Sequence, residues 1–145
     1  MAVDTWKYVK GKPIDSEIEK LQESLGVLLP KEFLSVAIEN NGGRPSPCIF
    51  DFPGRDGAVF ESLLRLEREN DYGILKTLER ISDRLPSGCV PFASDPFGNY
   101  LCFQYPSSGM IPIVFWNHEK KMDSSLSPVC DDFEALLEKL YEPKA

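Results

Sequence analysis

Ile14, Ile18, Leu21 and Leu25 follow a four-three-four spacing with Glu17, Glu19, Lys20 and Glu23 between them, which predicts an amphipathic helix. Pro13 ahead of it, with Asp15 and Ser16 following, supplies start signals. Gly26 supplies the stop, because glycine enters the left-handed conformation of a helix end without steric cost. After Leu29-Pro30, the pairs Phe33 with Ala37 and Leu34 with Ile38 stack four residues apart. They predict a second short helix that begins near Pro30 and must end at Asn40-Asn41-Gly42-Gly43. Ile74, Leu75, Leu78, Ile81 and Leu85 predict a third helix, stopped by Pro86-Ser87-Gly88, with Leu63 to Glu69 either extending it or forming a separate turn. Phe133, Leu136, Leu137, Leu140 and Tyr141 trace a final helix, for which Asp131 or Asp132 is the cap.

Between these helices the apolar residues come in short runs instead. Pro45-Ser46-Pro47 reads as a rigid connector. Cys48–Phe52 and Ala58–Phe60 read as a hairpin around Pro53-Gly54-Arg55-Asp56-Gly57. Val90–Ala93, Tyr100–Tyr105 and Ile111–Trp116 read as three strands of one sheet. Their near-continuous hydrophobicity calls for helices over at least one face, and Pro91 and Pro112 fit most easily at strand ends or edges. Helices first, strands later and a closing helix indicate an α+β fold rather than a regular βαβ alternation. The 145 residues suit one domain, spanning 1–145.

Charge narrows the partners. Sixteen basic and twenty-three acidic residues leave a formal charge of −7, which repels phosphate backbones unless the cations are clustered. The densest basic stretch, Lys7, Lys10 and Lys12, is interspersed with Tyr8, Val9 and Gly11 and reads as a solvated edge, so direct nucleic-acid binding is not expected. An acidic surface is suited to steering toward a basic partner, although solubility alone accounts for most charges of this size. The first residues do not form a secretory signal and no stretch is long and apolar enough to span a bilayer. The expectation is a soluble, cytoplasmic protein without a membrane partner. Cys48, Cys89, Cys102 and Cys130 form no Cys-x-x-Cys pair, which argues against a zinc ribbon or a redox motif and for buried free thiols.

Candidate chemistry is sparse. His118 is the only histidine, and the chain contains no Gly-x-Ser-x-Gly elbow, no phosphate-binding Gly-x-x-x-x-Gly-Lys loop and no His-Glu-x-x-His. Asp51 and Asp56 flank a glycine-containing turn but lack the ligand spacing of a calcium loop. Asp95-Pro96-Phe97-Gly98-Asn99 reads as a tight turn between two strands. No metal, cofactor or catalytic residue is expected. The candidate partner-binding residues are Asn41, Asp95, Asn99, Trp116, His118 and Glu119, which stand at turns or strand ends rather than on core stripes; the alternative for Trp116 is a core tryptophan followed by an exposed turn.

In order, the helix Ile14 to Leu25, Leu29-Pro30-Lys31-Glu32-Phe33, Asn40-Asn41-Gly42-Gly43, Val90-Pro91-Phe92-Ala93-Ser94-Asp95, Gly98-Asn99, Val114-Phe115-Trp116-Asn117-His118-Glu119 and Phe133-Glu134-Ala135-Leu136-Leu137 resemble the SUKH superfamily. That superfamily groups fungal cell-wall-synthesis regulators with bacterial immunity proteins of contact-dependent and polymorphic toxin systems. The resemblance implies an α+β domain with a central, mainly antiparallel sheet flanked by helices and no catalytic apparatus. It also implies direct inhibition of a cognate toxin, often a nuclease; with the location expected above and the charge of −7, the expectation is a cytoplasmic immunity protein that binds a secreted toxin, a basic nuclease being one kind. The alternative is a regulatory scaffold or small-ligand-binding module of the same fold. This chain departs from the family pattern at Phe97, where a second glycine is common, and at Asn117, where an aspartate is common.

Overall fold

The computed structural model describes residues 3–106 and 109–143. In chain order its elements are β1 (Thr5–Lys7), α1 (Asp15–Leu25), α2 (Lys31–Glu39), β2 (Arg44–Ser46), β3 (Ile49–Phe52), β4 (Arg55–Val59), β5 (Ser62–Leu63), α3 (Ile74–Ile81), β6 (Cys89–Ser94), β7 (Tyr100–Gln104), β8 (Ile113–Trp116), a short 3₁₀ turn (Met122–Ser125), β9 (Leu126–Cys130) and α4 (Phe133–Lys139). Strands β5 to β9 form one antiparallel sheet in sequential order, while β1 pairs with β2 and β3 with β4 in two small ladders. The fold is therefore α+β, with a central antiparallel sheet.

Side chains alternate across a strand, so continuous apolar runs such as Leu101-Cys102-Phe103 and Ile113-Val114-Phe115-Trp116 must find cover on both faces. They do. Leu101, Phe103, Ile113 and Phe115 join the main core with residues of α1, α2 and α4. Cys102, Val114 and Trp116 face the other way and pack with Ile81, Leu85 and Cys89. The main core centres on Phe33, whose ring meets Phe92, Phe103 and Phe133 edge-on at centroid distances of 5.5, 5.1 and 5.2 Å. Phe92 and Phe103 stack at 4.1 Å on adjacent strands.

Several expectations change in detail. Ile14 is 70% exposed and precedes α1, so the buried stripe of that helix is carried by Ile18 and Leu21. Gly26 does end α1, at φ 75°. The third helix stops at Ile81 and continues as turn through Leu85, and residues 63–69 form β5 and the chain leading to α3 rather than more helix. Asp132, not Asp131, caps α4 by accepting a hydrogen bond from the Ala135 amide at 2.8 Å. Tyr141 leaves the helix and pairs with Ile49. The segment read as a connector at Pro45-Ser46 is strand β2, paired with β1. Strand β9 has no counterpart among the predicted strands. Pro91 lies within β6, neither at its end nor on an outer strand. It is tolerated because β5 is only two residues long and ends opposite Ala93, and because the ladder to β7 shifts register between Pro91 and Ala93.

Candidate functional site

A buried polar corner closes the turn between β6 and β7. Asp95 accepts hydrogen bonds from the amides of Phe97 and Asn99 through Oδ1, and from the Asn99 side-chain amide through Oδ2, all within 2.8–2.9 Å. Asn99 in turn presents Oδ1 to the backbone amide of His118 at 3.0 Å and to His118 Nδ1 at 2.7 Å, so Nδ1 is the protonated nitrogen of the ring. Gly98 has φ 90°, a conformation that favours glycine, and a Cβ there would press against the His118 ring at 3.3 Å. Phe97, one of the two departures from the family pattern, points outward and is 63% exposed.

The structure thus brings Asp95, Asn99 and His118 together, but with Asp95 and Asn99 buried and engaged with each other and with His118. Trp116 does not stand on an exposed rim as expected. It is 1% exposed, stacks on Tyr100 at 6.1 Å and lies under the Arg84 guanidinium at 5.4 Å. Burial of the apolar β8 run from both sides draws it inward, and its Nε1 has no hydrogen-bond partner among the described residues. Glu119 is exposed, its amide held by Asn117 Oδ1 at 2.9 Å.

Asn41 stands apart from that corner and is fully buried. Its Nδ2 donates to the Gly11 carbonyl and to Glu67 Oε1, and its Oδ1 accepts from the Leu66 amide at 2.9 Å. Glu67 also receives Nε and Nη2 of Arg65 at 3.2 and 2.8 Å. Burial works to raise the Glu67 carboxyl, but the hydrogen bonds from Arg65 and Asn41 outweigh it and hold the group below its ordinary value of 4.5. A depressed carboxylate stabilises the fold above its unfolded pKa, and that contribution is lost as pH falls through the folded one. Glu67→Gln should therefore flatten the decline of Tm with pH below 4.5. Parallel melting curves for wild type and variant through that range would contradict the coupling.

Beside this network lies an open cleft of about 490 Å³. The β1–β2 ladder and the hydrogen bond from the Lys10 amide to the Asn41 carbonyl at 2.8 Å fix one wall, which presents Tyr8, Lys10 and Arg44. Residues Glu61 to Arg65 run along it, Tyr72, Thr77 and Arg80 come from α3 and the turn before it, and Asp95 and Tyr100 join it to the buried corner. Tyr8 and Tyr72 are 69% and 78% exposed. Tyr8 also holds φ 59°, a left-handed conformation uncommon outside glycine and found more often where function fixes a backbone. Arg80 is anchored by the Asp71 carbonyl at 3.0 Å.

Sequence reasoning reached Asp95 but missed the other lining residues. Lys10, Arg44, Arg65 and Arg80 are spread over seventy positions, and no local pattern marks them as neighbours; the absence of a basic run did not mean the absence of a basic cluster. The one local signal was Asn40-Asn41-Gly42-Gly43, which ends α2 as its punctuation predicts and also places Gly42 in this wall.

Cys89, Cys102 and Cys130 are poor nucleophiles. Burial pushes Cys89 and Cys130 up to about 11, and burial together with the neighbouring Cys89 also raises Cys102. Cys89 and Cys102 are buried as expected, whereas Cys48 and Cys130 are half-buried, and all four are free. Among the described residues no group of three or more His, Cys, Asp or Glu side chains is arranged to hold a metal ion, and no helix is long and apolar enough to cross a membrane.

An antiparallel sheet covered on both faces, together with the family match, places the chain among the α+β domains of the SUKH superfamily. Within it, the chain belongs to the SUKH_6 family, described as SMI1-KNR4 cell-wall, whose model matches residues 15–137. No curated protein matches the chain.

Proposed function

We propose that this chain is a cytoplasmic immunity protein that neutralises a secreted toxin by binding it, with no reaction of its own. The observation that carries this is the lining of the cleft: exposed Tyr8 and Tyr72 stand beside Arg44, Arg65 and Arg80, and tyrosine and arginine are the residue types that dominate binding energy at protein interfaces. Membership of a family within the SUKH superfamily supports the same role. So do the raised thiols and the commitment of the only histidine to a structural hydrogen bond with Asn99. The formal charge of −7 favours a toxin that is basic overall, a nuclease being one such partner.

The test is affinity capture from the source cell with its large secreted proteins expressed, followed by co-expression of whatever elutes at a fixed ratio. The expected result is one toxic partner whose toxicity this chain suppresses, and whose affinity falls at least tenfold for the Tyr8→Ala/Tyr72→Ala double variant. A partner whose activity continues unchanged in the complex would contradict the proposal. The cleft volume favours one second reading, a regulatory module with a small ligand, since such sites span roughly 300–1,000 Å³. That reading predicts a ligand-dependent rise in melting temperature without any toxin.

A further inference from the structure

We propose that the cleft receives a short, extended, carboxylate-rich segment of the protein partner; this rests on the protein-binding role above and adds the chemistry of the contact. The charge in the cleft runs opposite to that of the molecule. Four cations, Lys10, Arg44, Arg65 and Arg80, line it against two carboxylates, Glu61 and Asp95, in a chain of net charge −7. Asp95 already accepts three hydrogen bonds from its own turn. Among the described residues Lys10, Arg44 and Arg80 enter no ion pair, although acidic side chains outnumber basic ones in the chain as a whole.

The backbone is shaped to let these cations converge. Gly42, at φ 72°, is where the stems of Lys10 and Arg65 close over the chain. A Cβ at that position would lie 2.8 Å from Arg65 Cδ and 2.9 Å from Lys10 Cγ, so any side chain would force the two stems apart. The two-point hydrogen bonding of Arg65 to Glu67, itself held by Asn41, fixes one guanidinium plane. The Asp71 carbonyl steadies the Arg80 guanidinium. Guanidinium groups held in this way are suited to carboxylates, which they meet in two-point geometry.

Length and surroundings select a peptide. Five consecutive residues, Glu61 to Arg65, line the cleft, and at about 3.3 Å per extended residue they offer room for about four residues of a strand. Tyr8 and Tyr72 supply apolar flanks for such a segment. A longer polyanion such as nucleic acid would leave the cleft for a surface that carries the remaining negative charge, whereas a short acidic segment ends within it. A toxin that is basic overall needs only one acidic loop to make this contact.

The experiment titrates the isotopically labelled chain with a hexaglutamate peptide and follows backbone amide shifts, with inorganic phosphate and hexathymidylate as parallel probes. The expected result is saturable shifts at residues 42–44, 61–65 and 94 with hexaglutamate, weakened at least tenfold in the Lys10→Glu/Arg80→Glu variant. Both substituted residues are exposed, and an unchanged spectral dispersion verifies the variant's fold. Shifts that do not saturate, that centre elsewhere, or that persist in the charge-reversed variant overturn the assignment. So does tighter binding of phosphate or hexathymidylate at the same amides. Hexaglutamate binding by a chain for which affinity capture yields no toxin would count against the immunity role and leave the cleft chemistry standing. A toxin bound equally well by the charge-reversed variant would do the opposite.

Discussion

Phe33→Ala is expected to lower the free energy of unfolding by about 3–5 kcal/mol, the cost of removing a buried aromatic side chain and leaving a cavity. Phe33 is fully buried and joins α2 to both the sheet and α4, since its ring contacts Phe92 on β6, Phe103 on β7 and Phe133 at the start of α4. Each of those edge-on contacts contributes about 0.5–1.5 kcal/mol beyond area burial, and none can re-form with a methyl group. A domain of this size has about 5–15 kcal/mol in total, so this one change removes a large share of it. Urea denaturation measures it, with Phe33→Leu as the comparison that keeps most of the volume. A loss under about 1 kcal/mol would mean that the three elements are not held through this ring.

Asn99→Ala should be the most damaging polar substitution, at about 2–4 kcal/mol. One side-chain amide serves three groups: it donates to Asp95 Oδ2 and accepts from both the backbone amide and Nδ1 of His118. Alanine removes all three bonds and leaves a buried carboxylate oxygen and two donors without partners, and each unsatisfied buried group costs about 1–3 kcal/mol. Water entering beside half-buried His118 offsets part of that, which sets the lower bound. Asn99→Asp keeps the shape but places a second carboxylate against Asp95, and should be no better than alanine. Equilibrium unfolding of the three proteins tests the network; an Asn99→Asp variant as stable as wild type would show that the corner is not held as described.

Legibility followed the range of the interaction. Gly26 and the Phe33–Ala37 stripe act within one or two helical turns, and each appears where its spacing placed it. The strands from Cys89 to Trp116 were readable because their apolar runs are continuous, and for that reason the sequence could not say which face each residue took; Trp116, open to both a rim and a core reading, lies in the core beneath Arg84. Strand β9, Leu-Ser-Pro-Val-Cys, carries too few apolar residues to signal itself and exists because it pairs with β8. Of the candidate contact residues, Asp95 borders the cleft, whereas Asn41 lies behind it and supports Arg65 through Glu67. The cationic wall was invisible because its members meet only after β1 pairs with β2 and Gly42 turns the chain back against Lys10.

Hydrogen exchange on the chain alone and in complex with its captured partner tests most directly whether the cleft is the functional surface. The account predicts that complex formation slows exchange at residues 8–10, 42–44, 61–65 and 72, with little change along the outer faces of α1 and α4. Protection centred on those helices, with the cleft amides exchanging as in the free protein, would contradict it.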